Sequence, residues 1–283
     1  MYPELFRIGP LPVYSYGLML GISFIVGSYL LTKEFKRAGI SENIASEITL
    51  LCIILGVAGS KMFHLFENWS EFVSNPLGMI FSPSGLTYYG GFLLTTAGVA
   101  IYLRKKKLGF LRVVDLVSPA LALSYGIGRI GCHLAGDGDY GIPTSLPWGM
   151  SYSNGVVKPS MMFFGSKYAE KFPNGIMPDD LPLHPTPLYE FFGAVIIFIV
   201  LWQLRTKFKI QGQMFAAYLV LTGTARLLVE FLRLNPTIFM GLTEAQLISV
   251  SVIVAGIVLW YYSKKEIPQL SKNINTVKGK ISK

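Results

Sequence analysis

Seven apolar stretches, each close to the roughly 20 residues that carry a helix across a bilayer, govern what this chain can become. They run over about residues 14–32, 47–65, 86–103, 113–131, 188–204, 213–232 and 244–262. In hydrocarbon, backbone N–H and C=O groups must find partners within the protein, so stretches of this length cross as helices. The expectation is an all-α, polytopic membrane protein with seven transmembrane helices. Composition agrees: of 283 residues, 52% are hydrophobic and 14% charged, whereas soluble domains carry about 25% charged residues. No linker or shift in composition divides the stretches. Residues 1–263 are therefore expected to form one domain, and 264–283 a basic cytoplasmic tail.

The charges give an orientation. Lys33, Lys36 and Arg37 follow the first stretch, and Arg104, Lys105, Lys106, Lys107 and Arg112 the third. Arg205, Lys207 and Lys209 follow the fifth, and Lys264 and Lys265 the seventh. The intervening loops are poor in base. Basic loops stay in the cytoplasm, which predicts an outer N-terminus and a cytoplasmic C-terminus. The net charge of +9 is accounted for by these loops, and no nucleic-acid partner is expected. The N-terminus lacks a basic segment, short apolar run and small-residue cleavage site in succession, so the first stretch is read as a retained span. Cys52 and Cys132 show no metal-ligand spacing, and neither metal nor cofactor is expected. The long loop at about 132–187 then faces outward. Its prolines, glycines and aromatics read as an ordered cap, of a length that usually accompanies function.

Several polar groups lie where lipid makes them costly. Arg129 closes the fourth stretch in Gly128-Arg-Ile-Gly131 and is followed by a glycine-rich turn from Gly136 to Gly141 that carries Asp137 and Asp139. An arginine at such a depth marks a functional site unless it snorkels to head groups. Arg226 and Glu230 lie in the sixth stretch, with Arg233 at its end, at spacings that put the three on one helix face. Their alternative role is a structural ion pair. Arginines on two helices near the outer leaflet form a forked donor site suited to a phosphate ester. His184-Pro-Thr-Pro-Leu-Tyr189-Glu190 leads into the fifth stretch, its prolines suited to a helix start. Glu190 there needs a proton or a cation, or serves as a helix-end charge. Tyr16 and Gly17 open the first stretch and Tyr88-Tyr89-Gly90-Gly91 the third, as interfacial aromatics, close-packing glycines or lipid contacts. Lys61 and His64 end the second. No G-x-S-x-G, H-E-x-x-H or Walker loop is present, so a nucleophile would arrive with a substrate.

Assembled, these motifs resemble the bacterial prolipoprotein diacylglyceryl transferase family over most of the chain, from Tyr16-Gly17 to the end of the sixth stretch. The resemblance implies an inner-membrane enzyme with its site toward the outer leaflet. It would move the diacylglyceryl group of phosphatidylglycerol onto the lipobox cysteine of preprolipoproteins, forming a thioether and releasing glycerol phosphate. It would be the first step of lipoprotein maturation, with membrane lipids as its other partners. It further implies that Arg129 and Arg226 hold the phosphate, that Glu230 positions Arg226, and that the catalytic set includes Tyr89 and His184. Tyr16, Gly17, Gly90, Gly91, Gly128, Asp137, Asp139, Gly141, Tyr189 and Glu190 would contact substrate. The chain departs from the family pattern in four places. Tyr89 stands where the family often carries the His proposed to assist proton removal, Cys132 where it carries Asn, and Pro187 where it carries Gln. A one-residue length difference leaves both Asp137 and Asp139 as the matching acid. An unperturbed tyrosine, with a pKa near 10, is a poor base at neutral pH. His133, His184 or no side chain at all are the other candidates. A lipid or anion transporter, or a phospholipid transferase with another acceptor, would also suit paired arginines; inverted repeats, the mark of many transporters, are not evident.

Overall fold

The computed structural model describes residues 1–82 and 87–281, with side chains through Lys264. The first residue of the third stretch and most side chains of the basic tail lie outside that range. The chain opens with a hairpin of β1 (Glu4–Ile8) and β2 (Leu11–Tyr14), turned at Gly9 with φ 59°. It then enters α1 (Ser15–Arg37), α2 (Glu42–Glu67), the short α3 (Trp69–Ser74) and α4 (Pro76–Phe81), α5 (Tyr88–Lys105) and α6 (Phe110–Ala135). After the one-turn α7 (Pro159–Met162) come α8 (Thr186–Leu204) and α9 (Gln213–Glu230). A second hairpin, β3 (Thr237–Phe239) with β4 (Leu242–Thr243), precedes α10 (Glu244–Ile281).

The fold is mostly helical, with two short hairpins added to the all-helical expectation. Their strands are too brief for a period-two pattern to stand out beside long apolar runs. Among the described residues, five helices are long and apolar enough to cross a membrane: α1, α2, α6, α8 and α10 over Glu244–Lys264. The other two expected spans form α5 and α9, 18-residue helices outside that set. Glycine, threonine and charged residues dilute the apolar run in both.

Contacts divide the chain into two compact units, residues 28–114 and residues 1–27 with 115–283. In the first, α2 and α5 pack backbone to backbone. A methyl group built on Gly90 would lie 2.4 Å from the Gly59 carbonyl oxygen, and one on Gly91 2.8 Å from that of Gly56. Small residues permit such an approach, and what approaches this glycine pair is the neighbouring helix. Thr87 Oγ1 donates to the Ser60 carbonyl at 3.1 Å, and Lys106 pairs with Glu47 at 2.9 Å.

In the second unit, Ala122 of α6, Ile197 and Leu201 of α8 and Met214 of α9 form one buried cluster. Gly223 and Gly256 bring α9 and α10 together: a methyl on Gly223 would lie 2.8 Å from Ile253. The segment between α6 and α8 folds on its own core of Tyr140, Tyr152, Phe163, Ala169, Met177 and Leu183. Reciprocal backbone bonds between Met150 and Leu183, at 2.9 and 3.0 Å, tie it together. It is the ordered cap that its aromatics and prolines suggest. The start of α9 is clasped to α6: Asp115 accepts from the Gly212 amide at 2.6 Å and from the Phe215 amide at 2.8 Å. These are orphan donors that a helix N-terminus must place somewhere.

Candidate functional site

The clasp sets the height of two arginines. Arg129 lies 14 residues beyond Asp115 on α6, and Arg226 lies 14 residues beyond Gly212 on α9. Both helices therefore climb about 21 Å from a shared start before presenting a guanidinium. Between them α8 supplies Glu190, whose side chain is 2% exposed. Its Oε1 accepts from Arg226 Nη1 at 2.5 Å and from the Tyr125 hydroxyl at 2.8 Å. Its Oε2 lies 3.2 Å from Arg129 Nε and 4.0 Å from Arg233 Nη1. Arg129 also stacks over the Tyr125 ring, 4.9 Å from its centroid.

Two further carboxylates complete the cluster. Glu230 pairs with Arg226 at 3.2 Å, one turn back on α9. Its Oε1 accepts from Asn235 Nδ2 at 2.5 Å and from Thr243 Oγ1 at 2.9 Å. Thr243 also begins α10: its amide donates to Gln246 Oε1 at 3.0 Å and its hydroxyl receives the Gln246 amide at 3.2 Å. That reciprocal pair is a capping box. Asp139 bridges Arg129 and Arg233. Since α9 stops at Glu230, Arg233 does not extend the helical face shared by Arg226 and Glu230. It turns to the glycine-rich loop instead.

That loop distinguishes its two acids. Gly136 (φ 60°) and Gly138 (φ 92°) take left-handed conformations open to glycine at little cost. They aim Asp139 at the guanidiniums and leave Asp137 accepting the Asp139 amide at 3.3 Å. Burial pushes the Asp139 carboxyl up, but Arg233 and Arg129 outweigh it and hold the group below its ordinary value. Burial, followed by the Asp139 charge, pushes Asp137 upward. Asp137 lines a cavity of about 400 Å³ with Pro3, Tyr14, Tyr16, Ala135 and Val156. Cys132, Asp137 and Asp139 hold one potential ligand atom each within 4.8 Å of one another. The Asp139 oxygens are already engaged by two guanidiniums, which compete with any cation.

The other expected residues divide. Tyr16 packs on α6 at Gly131, where an added methyl would lie 3.3 Å from its ring. Gly17 and Gly128 face open space, with nothing within 4 Å of an added methyl. Gly141 is tightly enclosed; its amide donates to the His184 carbonyl at 2.8 Å, and an added methyl would lie 2.4 Å from the Leu232 carbonyl. His184 Nδ1 lies 3.2 Å from the Tyr189 hydroxyl, which receives Trp148 Nε1 at 2.8 Å. Burial pushes the His184 imidazole down. Consecutive residues on a helix point about 100° apart, so Tyr189 joins the cap while Glu190 joins the arginines. His133 Nδ1 is 3.0 Å from the Tyr152 hydroxyl. Tyr89, Gly90 and Gly91 belong to the unit of residues 28–114. The cluster thus gathers Arg129, Arg226, Glu230, Glu190 and Asp139. Sequence reasoning missed Tyr125, Asn235 and Thr243. The first was detectable as an i, i+4 partner of Arg129, and the last from its Thr-x-x-Gln box.

These features define a helical membrane protein with a buried arginine–carboxylate centre built at the ends of apolar helices. Residues 3–262 match the family described as prolipoprotein diacylglyceryl transferase, and the chain belongs to that family. The phosphatidylglycerol–prolipoprotein diacylglyceryl transferase of Clostridium tetani is 32% identical over 259 residues, covering 91% of this chain and 96% of the relative. That of Finegoldia magna is 30% identical over 265 residues, 93% and 96% of the two chains. The second such transferase of Clostridium perfringens is 31% identical over 274 residues, 95% and 94%.

Proposed function

We propose that this chain transfers the diacylglyceryl group of phosphatidylglycerol to the lipobox cysteine of preprolipoproteins, as the first step of lipoprotein maturation. The relatives' names supply the lipid and the acceptor class. The observation that carries the reading is the convergence of Arg129 and Arg226, from different helices, on a single anion, the Glu190 carboxylate. A lipid phosphate asks for the same forked donors. The guanidiniums would stabilise charge that gathers on the departing phosphate ester, a role that needs fixed donors and little reorganisation. Glu230, itself held by Asn235 and Thr243, positions Arg226. The peptide's thiolate is the nucleophile, its sulfur bonding to the glyceryl carbon as the carbon–oxygen bond to phosphate breaks. No cofactor or metal enters this reaction. Gly128 and Gly17, open on their outer side, leave room for lipid chains, and Asp137 with Tyr16 faces the neighbouring cavity. The reading includes seven crossings, with α5 and α9 among them, an outer N-terminus, a cytoplasmic C-terminus and a site toward the outer leaflet of the bacterial inner membrane. The charge asymmetry of the loops supports that orientation.

The test uses purified protein, phosphatidylglycerol and a lipobox peptide, with Arg129→Ala and Arg226→Ala as variants. Peptide-dependent release of glycerol phosphate, a diacylglyceryl gain in peptide mass, and loss of both in the two variants are expected. Intact lipid and unmodified peptide with folded wild-type protein would refute the transferase. Full activity in both variants would keep the enzyme and discard the clamp.

A further inference from the structure

The phosphate clamp is already occupied. Arg226 Nη1 and Arg129 Nε lie 2.5 and 3.2 Å from the two oxygens of Glu190. The cluster is also balanced: Arg129, Arg226 and Arg233 face Asp139, Glu190 and Glu230. A phosphate diester brings one more negative charge into a place shielded from water, and an unpaired buried charge is costly. Either the phosphate stays out or one carboxylate gives way. Asp139 bridges two guanidiniums, and Glu230 is braced by Asn235 and Thr243. Glu190 is the carboxylate that lies between the two clamp arginines, so it is the one that an incoming phosphate meets. Its Oε2, though buried, makes no hydrogen bond among the described residues, nor does the buried Arg233 Nη1 that lies 4.0 Å away. Glu230 Oε2 is unbonded as well, but the Glu230 carboxylate is held through Oε1 by two neutral donors.

We propose that Glu190 is the resting occupant of the phosphate clamp and that, once the lipid phosphate displaces it, its carboxylate takes the proton of the acceptor thiol. This rests on the transferase reading and supplies the base which Tyr89, standing where the family often carries His, leaves open. While Arg129 and Arg226 hold Glu190, its charge is compensated. When they turn to the phosphate, the carboxylate becomes the uncompensated anion of the cluster. The thiol proton then passes to a Glu190 oxygen and the sulfur pair forms the bond to the glyceryl carbon. The carbon–oxygen bond breaks, and its pair remains on the phosphate oxygen. Before this step the site holds a phosphate monoanion and an ionised Glu190; afterwards it holds a glycerol phosphate dianion and a neutral Glu190. The net charge is unchanged, and the guanidiniums face the dianion without a rival. Proton transfer from Glu190 to the departing phosphate restores the carboxylate, which re-enters the clamp as product leaves. The other charged and titratable groups facing Glu190 are Tyr125 and Arg129 on α6, Arg226 on α9 and Arg233 beyond it. Each is a donor to the carboxylate or to the phosphate; of the cluster's other carboxylates, Asp139 keeps Arg233, and Glu230 keeps Asn235 and Thr243.

The experiment compares wild type with Glu190→Gln, using phosphatidylglycerol micelles and two lipobox peptides, one with cysteine and one with selenocysteine. A selenol is ionised at neutral pH and needs no base. With the cysteine peptide, kcat should fall at least about 100-fold, in the range general bases contribute, without a rise in KM for the lipid. With the selenocysteine peptide the variant should come within about 10-fold of wild type, the signature of a lost base. An equal loss with both peptides would assign Glu190 a structural role and overturn the proposal. Wild-type protein inactive with both would refute the transferase reading instead. A measurement on wild-type protein covers a variant that fails to fold. An apolar carbodiimide should label Glu190 faster, by mass mapping, when phosphatidylglycerol fills the clamp. Unchanged or slower labelling would show that the carboxylate is not displaced.

Discussion

Replacing Asp115 with alanine tests whether the helix clasp governs a site about 21 Å away. The carboxylate accepts two backbone amides, those of Gly212 and Phe215, at 2.6 and 2.8 Å. Losing an N-terminal cap costs about 1 kcal/mol, and about 2 at the upper end. Two amides on one half-buried charged acceptor place Asp115→Ala near the upper end, at about 2 kcal/mol. The functional effect is worked separately. Once unclasped, α9 is free to slide against α6, and a displacement of about 1 Å at a reacting group can cost about 100-fold. Transfer to the lipobox peptide should therefore fall about 10- to 100-fold. Asp115→Asn, which keeps one acceptor oxygen, should lie between alanine and wild type in both measurements. The assays are thermal unfolding in detergent and peptide lipidation by mass. A variant that is destabilised yet transfers within threefold of wild type would refute the link between clasp and arginine height.

Two glycines should separate packing from substrate contact. Gly141→Ala places a methyl 2.4 Å from a backbone carbonyl and should destabilise the cap by about 3 kcal/mol, measured by unfolding. Gly128→Ala meets nothing within 4 Å and should stabilise its helix by up to about 1 kcal/mol. A loss of transfer in that variant would then report a lipid seated against Gly128, and unchanged KM and kcat would remove it from the binding surface. The two loop acids should give opposite pH signatures. Asp139 is held below its ordinary value of 3.8, so its contribution is full above that value and is lost as pH falls through the lower folded one. Asp137 is raised, so its contribution is present below the same ordinary value and is lost as pH rises through the folded one. Asp139→Asn should flatten the acid limb of stability in pH-dependent unfolding, and Asp137→Asn should raise stability at neutral pH; equal profiles would contradict the assignment.

The positions of Arg129, Arg226 and Glu190 were legible because a charge in an apolar run has few reasons to be there. Of their partners, only Glu230 was legible, four residues from Arg226 on the same helix face. Glu190 meets two arginines distant from it in sequence, and periodicity along one helix carries no information about which face of another it meets. Tyr125 hides in an apolar run as an ordinary aromatic, and Asn235 and Thr243 read as connecting loop. The choice between Asp137 and Asp139 turns on two left-handed glycines, whose φ values a sequence permits without dictating. The ordered cap was readable from its aromatics and prolines. The weaker apolar character of α5 and α9 reflects the glycines and charges that packing and the site require of them.

Thr243 links the site to the last helix. Its hydroxyl both starts α10 and holds Glu230 against Arg226. A nascent chain that ends at Arg233 already contains every guanidinium of the cluster, but lacks both groups that fix Glu230. The brace closes only when the second hairpin has formed and α10 has begun. Assembly of the brace is therefore coupled to the start of α10, and a chain stalled before that helix carries the charges of the cluster without the groups that fix Glu230.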